Sequence, residues 1–260
     1  MNYFFYLIIF IFGLIVGSFL NCVIYRLEIG KSALKGRSFC PHCQHQLKWQ
    51  DLIPIFSFLI LRGKCRYCKK PISWQYPLVE LFTGILFVLI FSNWLLNIEI
   101  FSLAYLFIIS SFLMIIFVYD LKHYIIPDKI IYPAIVIAFL YQLFNHWSLI
   151  INHLDFIYSA LGASFFFLLI VLASRGKGMG IGDIKLGFLM GLILGWPNIL
   201  VALFLAFLIG AIIGIGLIIS HKKTLKSEVP FGPFLVTGTF LALFWGENII
   251  NWYLSLIFSF

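Results

Sequence analysis

The sequence predicts an all-α polytopic membrane protein of about eight transmembrane helices with a small cytoplasmic loop domain. Three observations predict it. Hydrophobic side chains make up 62% of the 260 residues and charged ones only 11%, where an ordinary globular chain carries about 25% charged. The mean hydropathy is +1.05, so the polar side chains are too few to cover a water-exposed surface. A soluble enzyme, a disordered tail and a disulfide-rich secreted module are excluded. Apolar runs near the length of a bilayer-crossing helix, roughly 17–25 residues, also recur along the whole chain.

The first run, Tyr3–Ile24, is amino-terminal but has no basic residue ahead of it, and Arg26 follows it. It is therefore expected to be a retained anchor and not a cleaved signal peptide. After a long polar loop come runs at Leu78–Leu96, Ile100–Tyr119, Ile130–Phe144, Phe156–Ala173, Ile184–Leu194, Ile199–Ser220 and Leu235–Phe258. The fourth and sixth runs are short, as expected of a tilted span or of one that begins inside the preceding polar loop. Two parts are expected. Residues 1–98 hold the first span, the polar loop and the second span, and residues 99–260 form a six-helix membrane core.

The charges give an orientation. Ten of the 18 Lys and Arg lie between the first two runs, from Arg26 to Lys70. Lys122 and Lys129 lie between the third and fourth, Arg175, Lys177 and Lys185 between the fifth and sixth, and Lys222, Lys223 and Lys226 between the seventh and eighth. The alternate loops, around Asn97, Asn145–Asp155 and Trp196–Asn198, hold none. The positive-inside rule makes the basic side cytoplasmic and puts both termini outside. A net charge of +8 concentrated beside the inner leaflet suits anionic lipid headgroups. A pI near 9.3 also invites a nucleic-acid reading, but basic loops flanking spans are a topology signal, and no nucleic-acid partner is expected.

Cys40-Pro-His-Cys43 and Cys65-Arg-Tyr-Cys68 are two C-x-x-C pairs with 21 residues between them. Two thiolates three positions apart grip one tetrahedral ion from a tight turn, and two such knuckles close a four-sulfur shell. Cytoplasmic placement disfavours disulfides, so the expectation is a structural zinc on Cys40, Cys43, Cys65 and Cys68. Such a shell has no open position and does no hydrolysis. His42 and His45 read as solvated loop residues, and Cys22, inside the first span, as a small packing residue.

The ten acidic residues are few enough to weigh singly. An ionised Asp in a span costs about 2.5–3.5 kcal/mol on insertion scales and persists for function or pairing. Asp120 ends the third run, Asp128 follows Pro127 ahead of the fourth, and Asp183 closes Gly180-Ile181-Gly182-Asp183 ahead of the sixth. All three fall at one membrane surface. Asp128 is suited to cap a helix start, and so is Asp183, with Lys185 nearby. Asp120 has no such role, because a carboxylate at a helix C-terminus meets the unfavourable end of the dipole. Gly176, Gly178, Gly180 and Gly182 make a backbone able to take positive φ and approach another chain, a bed for an extended peptide. Glu80 opens the second run as a cap or a binding residue. Glu28 and Asp51 read as solvated loop acids. Pro230-Phe231-Gly232-Pro233 reads as a stiff turn that shapes the mouth of a groove.

Together these residues resemble the type IV prepilin peptidases, the bifunctional leader peptidase and N-methyltransferase family. The resemblance is carried by Gly17-Ser18-Phe19-Leu20-Asn21-Cys22 through Arg26, both cysteine knuckles, Arg62-Gly63-Lys64-Cys65 and Tyr76-Pro77-Leu78-Val79-Glu80. It continues through Asp120 with Ile126-Pro127-Asp128, Gly180-Ile181-Gly182-Asp183-Ile184-Lys185 and Pro230-Phe231-Gly232-Pro233. It implies a bacterial inner-membrane aspartyl protease with catalytic acids at Asp120 and Asp183. The supporting positions it implies are Asp128, Gly180, Gly182 and Lys185. The substrates it implies are type IV prepilin or pseudopilin precursors, cut at the cytoplasmic face after a glycine that precedes a hydrophobic helix. It also implies methylation of the new amino terminus with S-adenosylmethionine, for which Glu80, Arg26 and Gly63 match family positions. Two other readings of the same acids stay open: a presenilin-type protease cutting within spans, and a cation transporter using the acids as ligands.

Overall fold

The computed structural model describes residues 2–32, 36–94, 99–145, 150–176, 178–220 and 229–258. Asn97, Lys35, Lys177, Lys222, Lys223, Lys226 and Glu228 lie outside the described residues. Within them the chain is helical almost throughout. The helices are α1 (Asn2–Glu28), α2 (Phe56–Ile60), α3 (Gln75–Trp94), α4 (Ile100–His123), α5 (Asp128–Asn145), α6 (Ile150–Ala173), α7 (Ile181–Leu194), α8 (Asn198–Ile219) and α9 (Gly232–Phe258). It forms two compact units, residues 1–115 and 116–260, that divide inside α4.

Each of the eight apolar runs overlaps a helix, but among the described residues only six helices are long and apolar enough to cross a membrane: α1, α3, α4, α6, α8 and α9. The expectation of about eight spans is corrected on this point, and the physical reason is length and polarity. At about 1.5 Å per residue, α5 and α7 reach about 27 and 21 Å, short of a hydrocarbon core of about 30 Å. α5 also begins on Asp128 and Lys129 and contains Pro133.

In the first unit α1 and α3 lie along each other, brought together by glycines. A methyl on Gly13 would stand 2.8 Å from the Cα of Gly84, and one on Gly17 would stand 2.7 Å from the Cα of Glu80. Gly84 in turn receives Phe10 and Leu14 side chains at 2.9 Å. Small residues four apart let two spans approach where lipid offers no hydrophobic driving force between them. Phe87, fully buried, stacks on Phe107 with ring centroids 4.3 Å apart.

In the second unit α7 is the central element. It touches α5, α6, α8 and α9, and Leu186, Leu189 and Met190 are fully buried. α6 presses onto it at two glycines: a methyl on Gly191 would stand 2.3 Å from the Cα of Ala160, and one on Gly187 would stand 2.5 Å from the Phe167 ring. Gln142 of α5 donates to the Leu192 carbonyl at 2.7 Å. A helix apolar on every face belongs inside a bundle, which is why a run of 14 residues serves here. Gly17→Leu should force α1 away from α3 and cost about 1–3 kcal/mol as overpacking, seen as a lowered unfolding temperature in detergent. An unchanged temperature would show that the glycine contact does not hold the pair.

Candidate functional site

Asp120 lies in the last turn of α4 and is buried. Its Oδ2 accepts the backbone N–H of Gly232, the first residue of α9, at 3.0 Å. The carboxylate at the unfavourable end of its own helix therefore sits at the favourable end of another. Sequence reasoning missed this partner, 112 residues away. Gly232 is also a steric requirement, since a methyl there would stand 2.6 Å from Asp120 Oδ2. The Pro-Phe-Gly-Pro turn was the available signal, because only glycine between two prolines leaves such an amide open to close approach.

Asp183, also buried, is the third residue of α7, and its Oδ2 accepts the Gly180 N–H at 3.1 Å. This is the backward half of a capping box. Each of the two carboxylates has one oxygen fixed by a backbone amide.

Two further contacts tie the loop between α4 and α5 to the start of α7. A methyl on Gly182 would stand 3.0 Å from Ile126 Cβ, so glycine is what lets the turn close onto the loop. Lys185 Nζ meets Asp128 Oδ1 at 2.5 Å and lies 4.9 Å over the Tyr132 ring. Lys185 thus pairs with Asp128, and Asp128 stands in the first turn of α5 with that lysine as its partner. Gly180 has φ −83° and ψ 156°, extended backbone open to any residue. Among the expected glycine bed only Gly176, at φ +73°, takes positive φ. The other glycines work by proximity.

In the first unit the four thiols converge. Cys40, Cys43, Cys65 and Cys68 place their sulfurs within 4.8 Å of one another, with Cys40 Sγ and Cys68 Sγ 3.9 Å apart. A tetrahedral zinc with bonds of about 2.3 Å requires sulfurs about 3.8 Å apart, so the donor set fits the ion. The two knuckles are built alike. Cys40 N–H donates to His45 O at 3.0 Å and Cys65 N–H to Lys70 O at 2.8 Å. Gln44 and Lys69 take φ 57° and 59° at matching places. His45 stacks on Tyr67 with centroids 3.7 Å apart, and His42 is exposed, so neither histidine joins the four-sulfur group.

Asp51 differs from the solvated acid expected, because its side chain is only 4% exposed. It accepts from Arg66 Nε at 2.6 Å, Lys48 N–H at 3.1 Å and Tyr67 Oη at 3.2 Å, bracing the second knuckle against the chain before α2. Burial alone would raise the Asp51 carboxyl, but the Arg66 and Lys48 hydrogen bonds outweigh it and hold the group below the ordinary aspartate range. Arg26 is buried and donates from Nη2 to Gly36 O at 2.7 Å. Glu80 is buried and accepts from Ile55 N–H at 2.8 Å, where Ile55 has φ 59°. Gly63, at φ +68°, donates to Phe58 O at 2.9 Å with the Phe58 ring beneath its Cα. Arg26 and Glu80 tie the loop to α1 and α3, and Gly63 closes the turn after α2 within the loop. A lowered folded-state pKa stabilises only above the unfolded value of about 4 and is lost as pH falls through it. The loop should therefore become protease-sensitive on acidification below about pH 4, and Asp51→Asn should be sensitive already at neutral pH.

The amino-terminal region, residues 11–94, matches the model of the bacterial peptidase A24 N-terminal domain, and residues 107–215 match that of the type IV leader peptidase family. Among curated relatives, the prepilin leader peptidase/N-methyltransferase of Bacillus subtilis is 36% identical over 96% of this chain and 98% of its own length. Those of Legionella pneumophila and Aeromonas hydrophila, under the same name, are 34% and 33% identical over 97% and 95% of this chain and 96% and 93% of theirs. No solved structure matches the chain.

Proposed function

The chain belongs to the type IV leader peptidase family, and we propose that it cleaves the leader of a type IV prepilin or pseudopilin precursor with Asp120 and Asp183 as its paired acids. The observation that carries this reading is geometric: α9 fixes the Asp120 carboxylate, the turn before α7 fixes that of Asp183, and Ile126, six residues after Asp120, packs on Gly182 beside Asp183. Like charges held together share a proton. The unprotonated acid takes a proton from water as the water oxygen attacks the scissile carbonyl, and the protonated acid gives its proton to the carbonyl oxygen. Collapse of the resulting diol breaks the C–N bond and returns a proton to the leaving amine. Each such transfer contributes on the order of 10²–10⁴ in rate. Gly180 and Gly232 hold the acids in place, and Lys185 with Asp128 supports the loop beside them.

We place the cleavage at the cytoplasmic face of the bacterial inner membrane, on the distribution of the 18 Lys and Arg and the positive-inside rule. Keeping all of these charges on one side requires that α5 and α7 also cross, too short to span in contact with lipid but covered by neighbouring helices, and residues 1–98 and 99–260 are the loop-bearing part and the peptidase core. The four sulfurs hold a structural zinc that organises the loop and takes no part in hydrolysis. Methyl transfer comes from the relatives' names, and S-adenosylmethionine as its donor from the family resemblance alone. Arg26, Glu80 and Gly63 are engaged by the loop backbone and do not form a cradle for it, so no step is built on them.

Purified protein incubated with a prepilin precursor should release a leader ending in glycine, identified by mass spectrometry. Cleavage within the apolar helix would instead favour the presenilin-type reading. Asp120→Asn and Asp183→Asn should each lower cleavage at least about 10³-fold at unchanged membrane level, while Asp128→Ala retains activity. Full activity in either of the first two would refute the pair. Metal analysis should find about one zinc per chain, as four thiolates bind a single ion. Cys43→Ser should lower the protease resistance of the loop more than it lowers hydrolysis.

A further inference from the structure

We infer that the groove between α6 and α8 seats the apolar helix of the precursor, an inference that rests on the peptidase reading and gives its substrate a binding site. A cavity of about 670 Å³ opens there, walled by Tyr158, Gly162 and Phe166 of α6 and by Leu200, Leu203 and Phe207 of α8. Its rim side chains are exposed: Tyr158 is 63% and Phe204 66% accessible. The α6 residues fall on one helix face at spacings of four. The hollow exists because Gly162 has no side chain, and a Cβ built there meets nothing within 4 Å. On α7, by contrast, Gly187 and Gly191 are filled by a neighbour.

Size and position select the occupant. From Asp155 to Phe166 the groove runs about 16 Å at 1.5 Å per residue. One side of a helix fits, with the other side left in lipid. Small residues facing a partner are what span-to-span contacts use.

The inner end of the groove connects to both carboxylates. Phe207 packs on Phe166 with centroids 6.0 Å apart and on Phe231 at 4.9 Å, and Phe231 precedes the Gly232 whose amide holds Asp120. Phe167, beside Phe166, rests on Gly187, one helical turn from Asp183. A helix seated in the groove therefore points its inner end at the acids. That is the geometry needed to cut a bond just before an apolar helix.

The test compares two substrates: a whole precursor in detergent or vesicles, and a soluble peptide that spans the cleavage site without the apolar helix. Gly162→Trp fills the groove, and Gly216→Trp, on open α8 surface outside it, is the control. Gly162→Trp should lower kcat/KM for the precursor at least tenfold and leave the peptide within twofold, and Gly216→Trp should change neither. Unchanged precursor cleavage by Gly162→Trp would overturn the assignment and leave the groove to lipid. Wild-type protein that cuts neither substrate would instead sink the peptidase reading. If Gly162→Trp loses peptide cleavage as well, Leu203→Cys decides. It should form a disulfide with a cysteine in the precursor's apolar helix that Gly216→Cys does not form, and absence of that cross-link overturns the proposal.

Discussion

The hydrogen bond from the Gly232 amide to Asp120 is the constraint on which the peptidase unit depends. A carboxylate buried at the C-terminal end of a helix is opposed both by desolvation and by the dipole of that helix. It is tolerable only where donors converge on it. The start of α9 supplies one, with the added field of a helix N-terminus. The bond joins residues 120 and 232, so the turn that delivers it must be rigid and free of a side chain at one atom. Two prolines flanking a glycine meet both demands. Asp183 is treated the same way over a shorter distance, by the amide of Gly180 three residues back. Both acids are thus oriented by backbone, which leaves no flexible side chain between the scaffold and the chemistry.

That orientation requires α7 to begin where the acid is needed, with Asp183 buried two residues after an exposed Ile181. The fourteen residues of α7 are then as many as the neighbours can cover. Glycines at 182, 187 and 191 give up side-chain packing so that Ile126, Phe167 and the Ala160 backbone come within contact. A larger residue at any of these points would push α7 outward and shift Asp183 with it. Packing density here serves position as much as stability.

Much of this was legible in the chain, for identifiable reasons. The cysteine spacing is a local signal of coordination geometry, and the sulfurs meet as the spacing requires. Asp120 and Asp183 stood out because charge is scarce and costly beside spans, and the loop after Asp120 packs on the turn that begins α7. Other features were hidden because they depend on contacts distant in sequence. Nothing near Asp51 distinguishes it from a solvated acid, since its partner Arg66 arrives through the fold of the loop. Lys185 is two residues from Asp183 yet pairs with Asp128, because the side chain follows the face of α7 that meets α5. The span count failed where hydropathy cannot separate a helix in lipid from one sheathed by protein, as with α7. Gly13 and Gly17, four apart on α1, were a readable close-packing signal that hydropathy alone passes over.

The balance of charge bears on recognition as well. At physiological salt a field from exposed side chains fades within about 8 Å, so the basic loops act on a substrate only at short range. Selection of substrate must then come from contacts made inside the membrane, where no counterions screen and shape decides. Carboxylates set one turn beyond the inner end of an apolar groove define a length: the distance from the seated helix to the bond that is cut. On this geometry the residues before the scissile bond govern affinity weakly, and the position of the glycine relative to the apolar helix governs cleavage strongly.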